Sequence, residues 1–378
     1  MIAVSTSKLA EQLRERIRRD GPITFREWMS AALYDPVNGY YCRVDRNKWG
    51  REGDYRTSPE RSSLFGATLA RYIVKLYEES AQPSPLTITE SGGGDGSFAV
   101  ALLETLQLYF PGVLAATRYV IDEISPNSQS QALKRLGAFA DRVSFESVGN
   151  VQIDFGIVFS NELLDAFPVH RVKMEAGQLR EFYVNVSAGG EFEWLLAAPS
   201  TKSLAEYFEK CGVELGEGQV AEVNLEIEPW LKRVAGNLRS GYVITVDYGA
   251  EAAELYPSSA DDPRYFGTLR SFQRHQIIDD VLSGPGEQDL TTSVNWSFVR
   301  DVGEQLGFEV FEFERQDKFL LAAGLLEQLE VKTKRQEGEA ENLRLSNAAL
   351  EMILPTRMGA HFQVLVQKKQ KPDREGGL

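Results

Sequence analysis

The chain has 378 residues, 43% of them hydrophobic and 25% charged, and its 41 basic and 55 acidic side chains give a formal charge of −14. That composition excludes disorder for most of the chain, and the negative balance disfavours a nucleic-acid partner and fits a basic protein segment better. Two cysteines, Cys42 and Cys211, and three histidines at no ligand spacing exclude a disulfide framework and give no reason to expect a metal.

In chain order, Leu9, Leu13 and Ile17 form one apolar stripe among charged residues, an amphipathic helix stopped by Gly21-Pro22. The segment is not a secretory signal, its Glu11 and Glu15 argue against a transit peptide, and no run of about 18 apolar residues exists to insert in a membrane. The reading is a cytoplasmic protein. Thr24 and Glu27 stand at capping-box spacing and open a second helix through Trp28, Met29 and Leu33. From Tyr34 to Glu60 periodicity gives way to Gly, Asp, Tyr and Arg; a structureless run of that length inside a compact chain is usually functional, and we expect a lid over a ligand. A helix carrying Phe65, Leu69, Tyr72 and Leu76 on one face follows.

A βαβ signature comes next: the apolar run from Leu86 to Thr89, a glycine turn, a helix through Phe98, Leu102 and Leu106, and a second strand at Tyr119-Val120-Ile121. Strands are also expected from Val143 to Val148, from Phe155 to Phe159 and from Tyr242 to Val246, which predicts a parallel sheet covered by helices. Between Val169 and Leu196, alternation with turns at Ala176-Gly177 and Gly189-Gly190 predicts an antiparallel insertion. The charged stretch from Leu329 to Asn347 reads as a solvated helix. The expected organisation is N-terminal helices and lid loop over 1–80, a Rossmann-like α/β domain over 81–168 and 240–367, an inserted antiparallel β and helical subdomain over 169–239, and a disordered tail over 368–378.

Glu90-Ser91-Gly92-Gly93-Gly94-Asp95-Gly96 leaves a strand and opens a helix, so the backbone can turn tightly and pass close to a nucleoside. The third glycine of a dinucleotide loop is replaced by Ser97, and Glu90 at the strand end would repel a pyrophosphate while suiting the amino group of a methionine moiety, which favours S-adenosyl-L-methionine (SAM) over NAD. The expected contacts are Glu90, Gly92, Gly94 and Gly96, with Glu123 at the end of the second strand on the ribose hydroxyls; Glu123 could equally belong to a helix start at Ser125-Pro126. The fourth strand delivers Asn161, Glu162 and Asp165 to the carboxyl edge of the sheet, where they could hold a methyl acceptor. Asn161 or Asp165 capping a short helix ended by Pro168 is the competing reading.

Several stretches in order carry a resemblance: Leu33-Tyr34-Asp35-Pro36 with Gly39-Tyr40-Tyr41, Gly53-Asp54-Tyr55 with Thr57-Ser58-Pro59, Phe65-Gly66, the glycine loop, Glu123-Ile124-Ser125-Pro126, Asn161-Glu162 with Asp165-Ala166 and Pro168, Asp247-Tyr248-Gly249, and Gly284-Pro285-Gly286-Glu287-Gln288-Asp289. Over Ile23 to about Val366 the chain resembles the MidA family of bacterial and mitochondrial SAM-dependent methyltransferases, whose mitochondrial members assist assembly of respiratory complex I. It departs from the family at Tyr55, Gln273 and Val294-Asn295-Trp296. The resemblance implies a Rossmann-like methyltransferase fold and a protein arginine methyltransferase making symmetric dimethylarginine on a complex I (NADH dehydrogenase) subunit. Glu162 then aligns the guanidinium, Asp165 supports it and Asn161 orients it. Tyr41, Asp54, Thr57, Ser58 and Pro59 of the lid, with Asn161, join the cofactor contacts. A small-molecule methyltransferase and a non-catalytic SAM-binding assembly factor stay open as alternatives. The Arg274-His275 pair is read as structural.

Overall fold

The structure is a computed structural model that describes residues 7–43, 63–273, 276–335, 338–354 and 361–371. Most of the expected lid, with Asp54, Thr57, Ser58 and Pro59, and the Arg274-His275 pair lie outside the described residues. The strands in chain order are β1 (Ile23–Thr24), β2 (Leu86–Ser91), β3 (Thr117–Asp122), β4 (Val143–Phe145), β5 (Gly156–Asn161), β6 (His170–Glu175), β7 (Gln178–Val186), β8 (Phe192–Ala197), β9 (Val220–Val223), β10 (Gly241–Ala250), β11 (Arg270–Gln273), β12 (Gln276–Ile277), β13 (Asp289–Thr291), β14 (Val294–Asn295), β15 (Phe308–Arg315) and β16 (Phe362–Lys369).

The front end folds as its local chemistry dictates. Ser7 caps the helix Lys8–Asp20 by accepting from the Ala10 N–H at 3.1 Å, and Gly21 ends it at a φ of 92°. Thr24 and Glu27 close the capping box of the helix Phe25–Tyr34, the Glu27 N–H donating to Thr24 Oγ1 at 3.2 Å and the Thr24 N–H to Glu27 Oε2 at 3.1 Å. Both helices bury Leu9, Leu13, Ile17, Trp28 and Leu33 in a core that also takes Val184. Between them β1 pairs antiparallel with β7, Ile23 opposite Val184. A two-residue strand cannot bury a face alone, so the N-terminal helices and the segment read as an insertion share one antiparallel sheet, in the order β1-β7-β6-β9 with β8 on β7.

The main sheet runs β15-β16-β10-β5-β2-β3-β4, with β14 beside β10. β2 pairs parallel with β3 and with β5, and β5 parallel with β10, while β16 is antiparallel to both of its neighbours. The order reverses at β2, so the chain leaving β2 and the chain leaving β5 pass to opposite faces of the sheet and leave between them the crevice where open α/β sheets take ligands. One face of the sheet is covered by the helices Ser63–Glu79 and Ser97–Tyr109, which bury Phe65, Leu69, Phe98 and Leu102. The other is covered by Ile227–Asn237 and Trp296–Gln305, with Trp230, Leu231 and Val299 inside. The fold is the expected Rossmann-like α/β class with an antiparallel addition.

Two expectations at the C-terminal end change. In place of one solvated helix from Leu329 to Asn347 there are two, Leu325–Arg335 and Glu339–Ile353, and the second buries Leu345, Ala348, Ala349 and Met352. The apolar spacing that faces the core continues past Asn347. Lys368 and Lys369, placed in a disordered tail by the sequence, are strand residues. They pair with Tyr242 and Gly241, and the Lys368 ammonium lies over the Tyr242 ring, 5.6 Å from its centroid, which gives a charged side chain a reason to stay ordered.

Candidate functional site

Gly92, Gly94 and Gly96 all have positive φ, 74°, 52° and 79°. That left-handed backbone is what a glycine permits and other residues resist. A Cβ at Gly93 would stand 2.5 Å from Ile121 Cγ2, and one at Gly96 2.9 Å from Ala132 Cβ, so the loop also packs closely against its own scaffold. Asp95 accepts from the Ser97 N–H at 3.0 Å and pairs with Arg135 at 2.6 Å, which locks the turn to the next helix.

Glu123 closes the turn from the β3 side. Its Oε2 accepts from the Gly94 N–H at 2.9 Å and its Oε1 from the Ser125 N–H at 2.7 Å. The Ser125 side chain caps the helix Pro126–Leu136. Both sequence readings of Glu123 therefore sit on one side chain: it lines the cavity and it braces a helix start. Glu90 differs from expectation. Its carboxyl lies buried under the loop, where the Tyr119 hydroxyl donates to it at 2.7 Å. It is not among the cavity-lining residues. Burial pushes it up to about 8, with Asp95 and Glu123 adding to the rise against the opposing Tyr119 bond. Its carboxyl thus faces Tyr119 and the underside of the loop, and the cavity is lined without it.

At the end of β5 the chain turns sharply. Glu162 has a φ of 50°, a left-handed value that is costly for a residue with a side chain. Its N–H donates to Val246 O at 2.9 Å, and Asn161 Nδ2 donates to its Oε1 at 3.0 Å. Residues 162–168 form turns and bends with no helix, so neither Asn161 nor Asp165 caps one. The N–H groups of the turn go instead to Asp247, a fully buried carboxylate on β10 that the sequence reading noted only as part of the resemblance. Asp165 is buried behind the turn; burial and then the neighbouring Glu162 push it up to about 7.

These elements enclose a cavity of about 300 Å³. Ser91, Gly92, Asp122, Glu123, Ile124 and Ser128 line one part, and Glu162, Leu163, Ala166, Phe167, Tyr34 and Tyr41 another, with Trp230 and Arg233 reaching in from the helix Ile227–Asn237. Tyr34 and Tyr41 stack at 5.4 Å, the Tyr34 hydroxyl donates to Ala166 O at 3.0 Å, and that of Tyr41 to Asp289 Oδ1 at 2.7 Å. Of the residues singled out from sequence, Gly92, Glu123, Glu162 and Tyr41 meet on this wall. Gly94 and Gly96 shape the turn, and Asn161 and Asp165 support Glu162 from behind. Sequence reasoning missed Trp230 and Arg233, preferred Glu123 to its neighbour Asp122 at the same strand end, and gave Asp247 no role. Asn295, one of the departures noted from sequence, caps the helix Trp296–Gln305 through the Phe298 N–H at 3.2 Å and donates to the Tyr207 hydroxyl at 2.8 Å, a donor role that a carboxylate could not fill.

A nucleoside-bearing cofactor fits this wall. The positive-φ turn presents bare backbone to the cavity, Glu123 offers a carboxylate beside it, and the buried Ser91 Oγ on the same wall has no partner among the described residues. Among the described residues no group of His, Cys, Asp and Glu could hold a metal ion, and no helix is long and apolar enough to cross a membrane.

Residues 68–314 match the S-adenosyl-L-methionine-dependent methyltransferase family. The chain is 29% identical to a Burkholderia thailandensis methyltransferase candidate whose crystal structure holds S-adenosyl-homocysteine, covering 96% of this chain and 92% of that one at a TM-score of 0.85. It is 27% identical to the Drosophila melanogaster "Protein arginine methyltransferase NDUFAF7 homolog, mitochondrial", over 94% of this chain and 84% of that protein. It is 23% identical to the human "Protein arginine methyltransferase NDUFAF7, mitochondrial", over 94% and 82%. The Drosophila and human relatives are named mitochondrial, which overturns the cytoplasmic reading. That reading leaned on Glu11 and Glu15, but their helix buries Leu9, Leu13 and Ile17 in a core, so its charge pattern reports packing and not an address.

Proposed function

We propose that this chain, which belongs to the S-adenosyl-L-methionine-dependent methyltransferase family, methylates arginine in a protein acceptor, making symmetric dimethylarginine on a respiratory complex I subunit. The observation that carries the arginine reading is Glu162 on the cavity wall, held in a strained backbone turn with Asp165 and Asp247 buried behind it. Such a concentration of carboxylates suits a cation, and the relatives named as arginine methyltransferases agree with it.

In this reading the Gly92 to Gly96 turn, Glu123 and Tyr41 hold the cofactor, Asn161 contributes from the β5 end, and Glu90 supports the loop from beneath. S-adenosyl-L-methionine, when bound, supplies an electrophilic methyl group. The chain's own residues do the rest. A guanidinium keeps its proton far above pH 7 and offers a planar fork of donors, which the Glu162 carboxylate can align by charge-assisted bonds. Asn161 orients that carboxylate through its 3.0 Å bond. As the nitrogen is alkylated its proton must leave, and Glu162 is placed to accept it, with Asp165 in support. The −14 charge draws a basic segment toward the cavity.

Glu123→Ala removes a carboxylate from the cofactor wall and frees the Gly94 N–H, so affinity for SAM measured by calorimetry should fall by about 1.5 to 3 kcal/mol. The function is tested with a labelled methyl donor and a lysate from a strain lacking the gene. Label recovered as methylarginine after protein hydrolysis supports the proposal. Label in small molecules alone moves the acceptor to another class, and no label despite tight SAM binding makes the chain a non-catalytic assembly factor.

A further inference from the structure

We propose that Asp247 is the positioning residue of this site: its carboxylate anchors the turn from Glu162 to Asp165 and thereby fixes where Glu162 meets the acceptor, an inference that rests on the role given to Glu162 above. β10 lies beside β5 in parallel register with Val246 opposite Asn161, so the next residue on β10 reaches the chain just as it leaves the sheet. The ladder gives out there. Glu162 still donates to Val246 O, but the N–H groups of Leu163, Leu164 and Asp165 meet a side chain of β10 in place of its backbone. All three donate to Asp247 Oδ2, at 3.2, 2.9 and 3.4 Å, while the Tyr248 N–H takes Oδ1 at 2.9 Å. Buried N–H groups left without acceptors are costly; one carboxylate satisfies the whole turn, as a helix cap satisfies a first turn.

The carbonyls of the same turn are held by other elements. Asn224 Nδ2 donates to Leu164 O at 2.8 Å, the Thr292 N–H to Asp165 O at 2.9 Å and the Tyr34 hydroxyl to Ala166 O at 3.0 Å. The turn is thus clamped on both sides of its peptide planes, and the left-handed φ of Glu162 persists because the surroundings over-determine it. Leu163 carries the clamp to the cofactor side: a Cβ on Gly92 would stand only 3.0 Å from Leu163 Cδ1. One anchor therefore sets the spacing between the glycine loop and Glu162.

Stability alone does not explain Asp247. It is fully buried near Asp165 and Glu162, and burial and those like charges both raise it, so its place there carries a cost that the N–H donors of the turn must offset. Four N–H groups donate to the Asp247 carboxylate and offset part of that burial cost.

The test compares Asp247→Ala and Asp247→Asn with the wild-type chain in methyl transfer to the labelled acceptor, in S-adenosyl-homocysteine binding, and in amide hydrogen exchange. Alanine leaves the three N–H groups without an acceptor: kcat should fall about 30-fold or more with S-adenosyl-homocysteine affinity within about threefold. Exchange over 162–168 should quicken about tenfold while 90–96 stays protected. Asparagine keeps an acceptor oxygen toward the turn, so its kcat should recover to within about fivefold of wild type. Asp247→Ser, whose hydroxyl stops short of the turn, serves where the alanine variant does not fold, with the alanine expectations. The proposal is overturned by an unchanged kcat, by unchanged exchange over 162–168, or by kcat and cofactor affinity falling in parallel, which would make Asp247 a general support of the fold. Wild-type chain that labels no arginine would instead sink the role of Glu162, and the exchange measurement still decides whether Asp247 anchors the turn.

Discussion

Glu162→Gln should bind S-adenosyl-L-methionine about as tightly as wild type and turn over roughly 100-fold more slowly or worse. The substitution leaves the shape of the site alone. Glutamine keeps the carbonyl oxygen that accepts from Asn161 Nδ2, the turn stays anchored through Asp247, and Gly92 and Glu123 are untouched. What disappears is a negative charge opposite a guanidinium and the capacity to take its proton. A factor of 100 corresponds to about 2.7 kcal/mol, within what a charge-assisted hydrogen bond contributes when its partner is left unsatisfied. Single-turnover transfer at saturating cofactor separates this from a binding defect. Wild-type turnover in Glu162→Gln would remove the residue from the chemistry, and a parallel loss of SAM affinity would reassign it to the cofactor.

The parts of this site legible in the sequence are those written locally. A strand, a glycine turn and a helix are contiguous, so Gly92, Gly94 and Gly96 could be placed before any fold was known, and Glu123 follows its strand at once. The Thr24–Glu27 capping box and the strand–helix alternation of the parallel sheet are of the same kind. Glu90 shows where local reading ends: its position at the strand end was right, but the side of the strand it takes depends on Tyr119 of β3, whose hydroxyl draws it under the loop and away from the cavity. Asp247 is further from reach. It meets residues 82 to 84 positions earlier because β10 lands beside β5, and no periodicity in either segment announces that. Trp230 and Arg233 arrive the same way, on a helix that looks like ordinary core cover until the sheet places it over the crevice. β1 was invisible because two residues make no pattern, although their pairing with β7 ties the front helices to the antiparallel sheet.

Gly94→Val should abolish measurable cofactor binding, with a loss of roughly 100-fold or more, while most of the fold survives. Gly94 has a φ of 52° and donates its N–H to Glu123 Oε2 at 2.9 Å. A β-branched residue in that conformation is strained by about 1 to 2 kcal/mol from the backbone alone. The chain can relieve the strain by rotating the peptide, which breaks the bond to Glu123 and turns the bare backbone away from the cavity. Otherwise it keeps the turn and carries the strain in the loop that positions Gly92 and Glu123. Either outcome disturbs the turn that sets Gly92 and Glu123 on the cavity wall. The neighbouring glycines are poorer probes, because a Cβ at Gly93 strikes Ile121 and one at Gly96 strikes Ala132, and a loss of binding there would be mixed with damage to packing. Calorimetry with S-adenosyl-homocysteine, paired with a thermal melt, reads the two effects separately. A folded Gly94→Val chain that binds as tightly as wild type would place the cofactor elsewhere than on this loop, and Glu123→Ala should then bind normally as well.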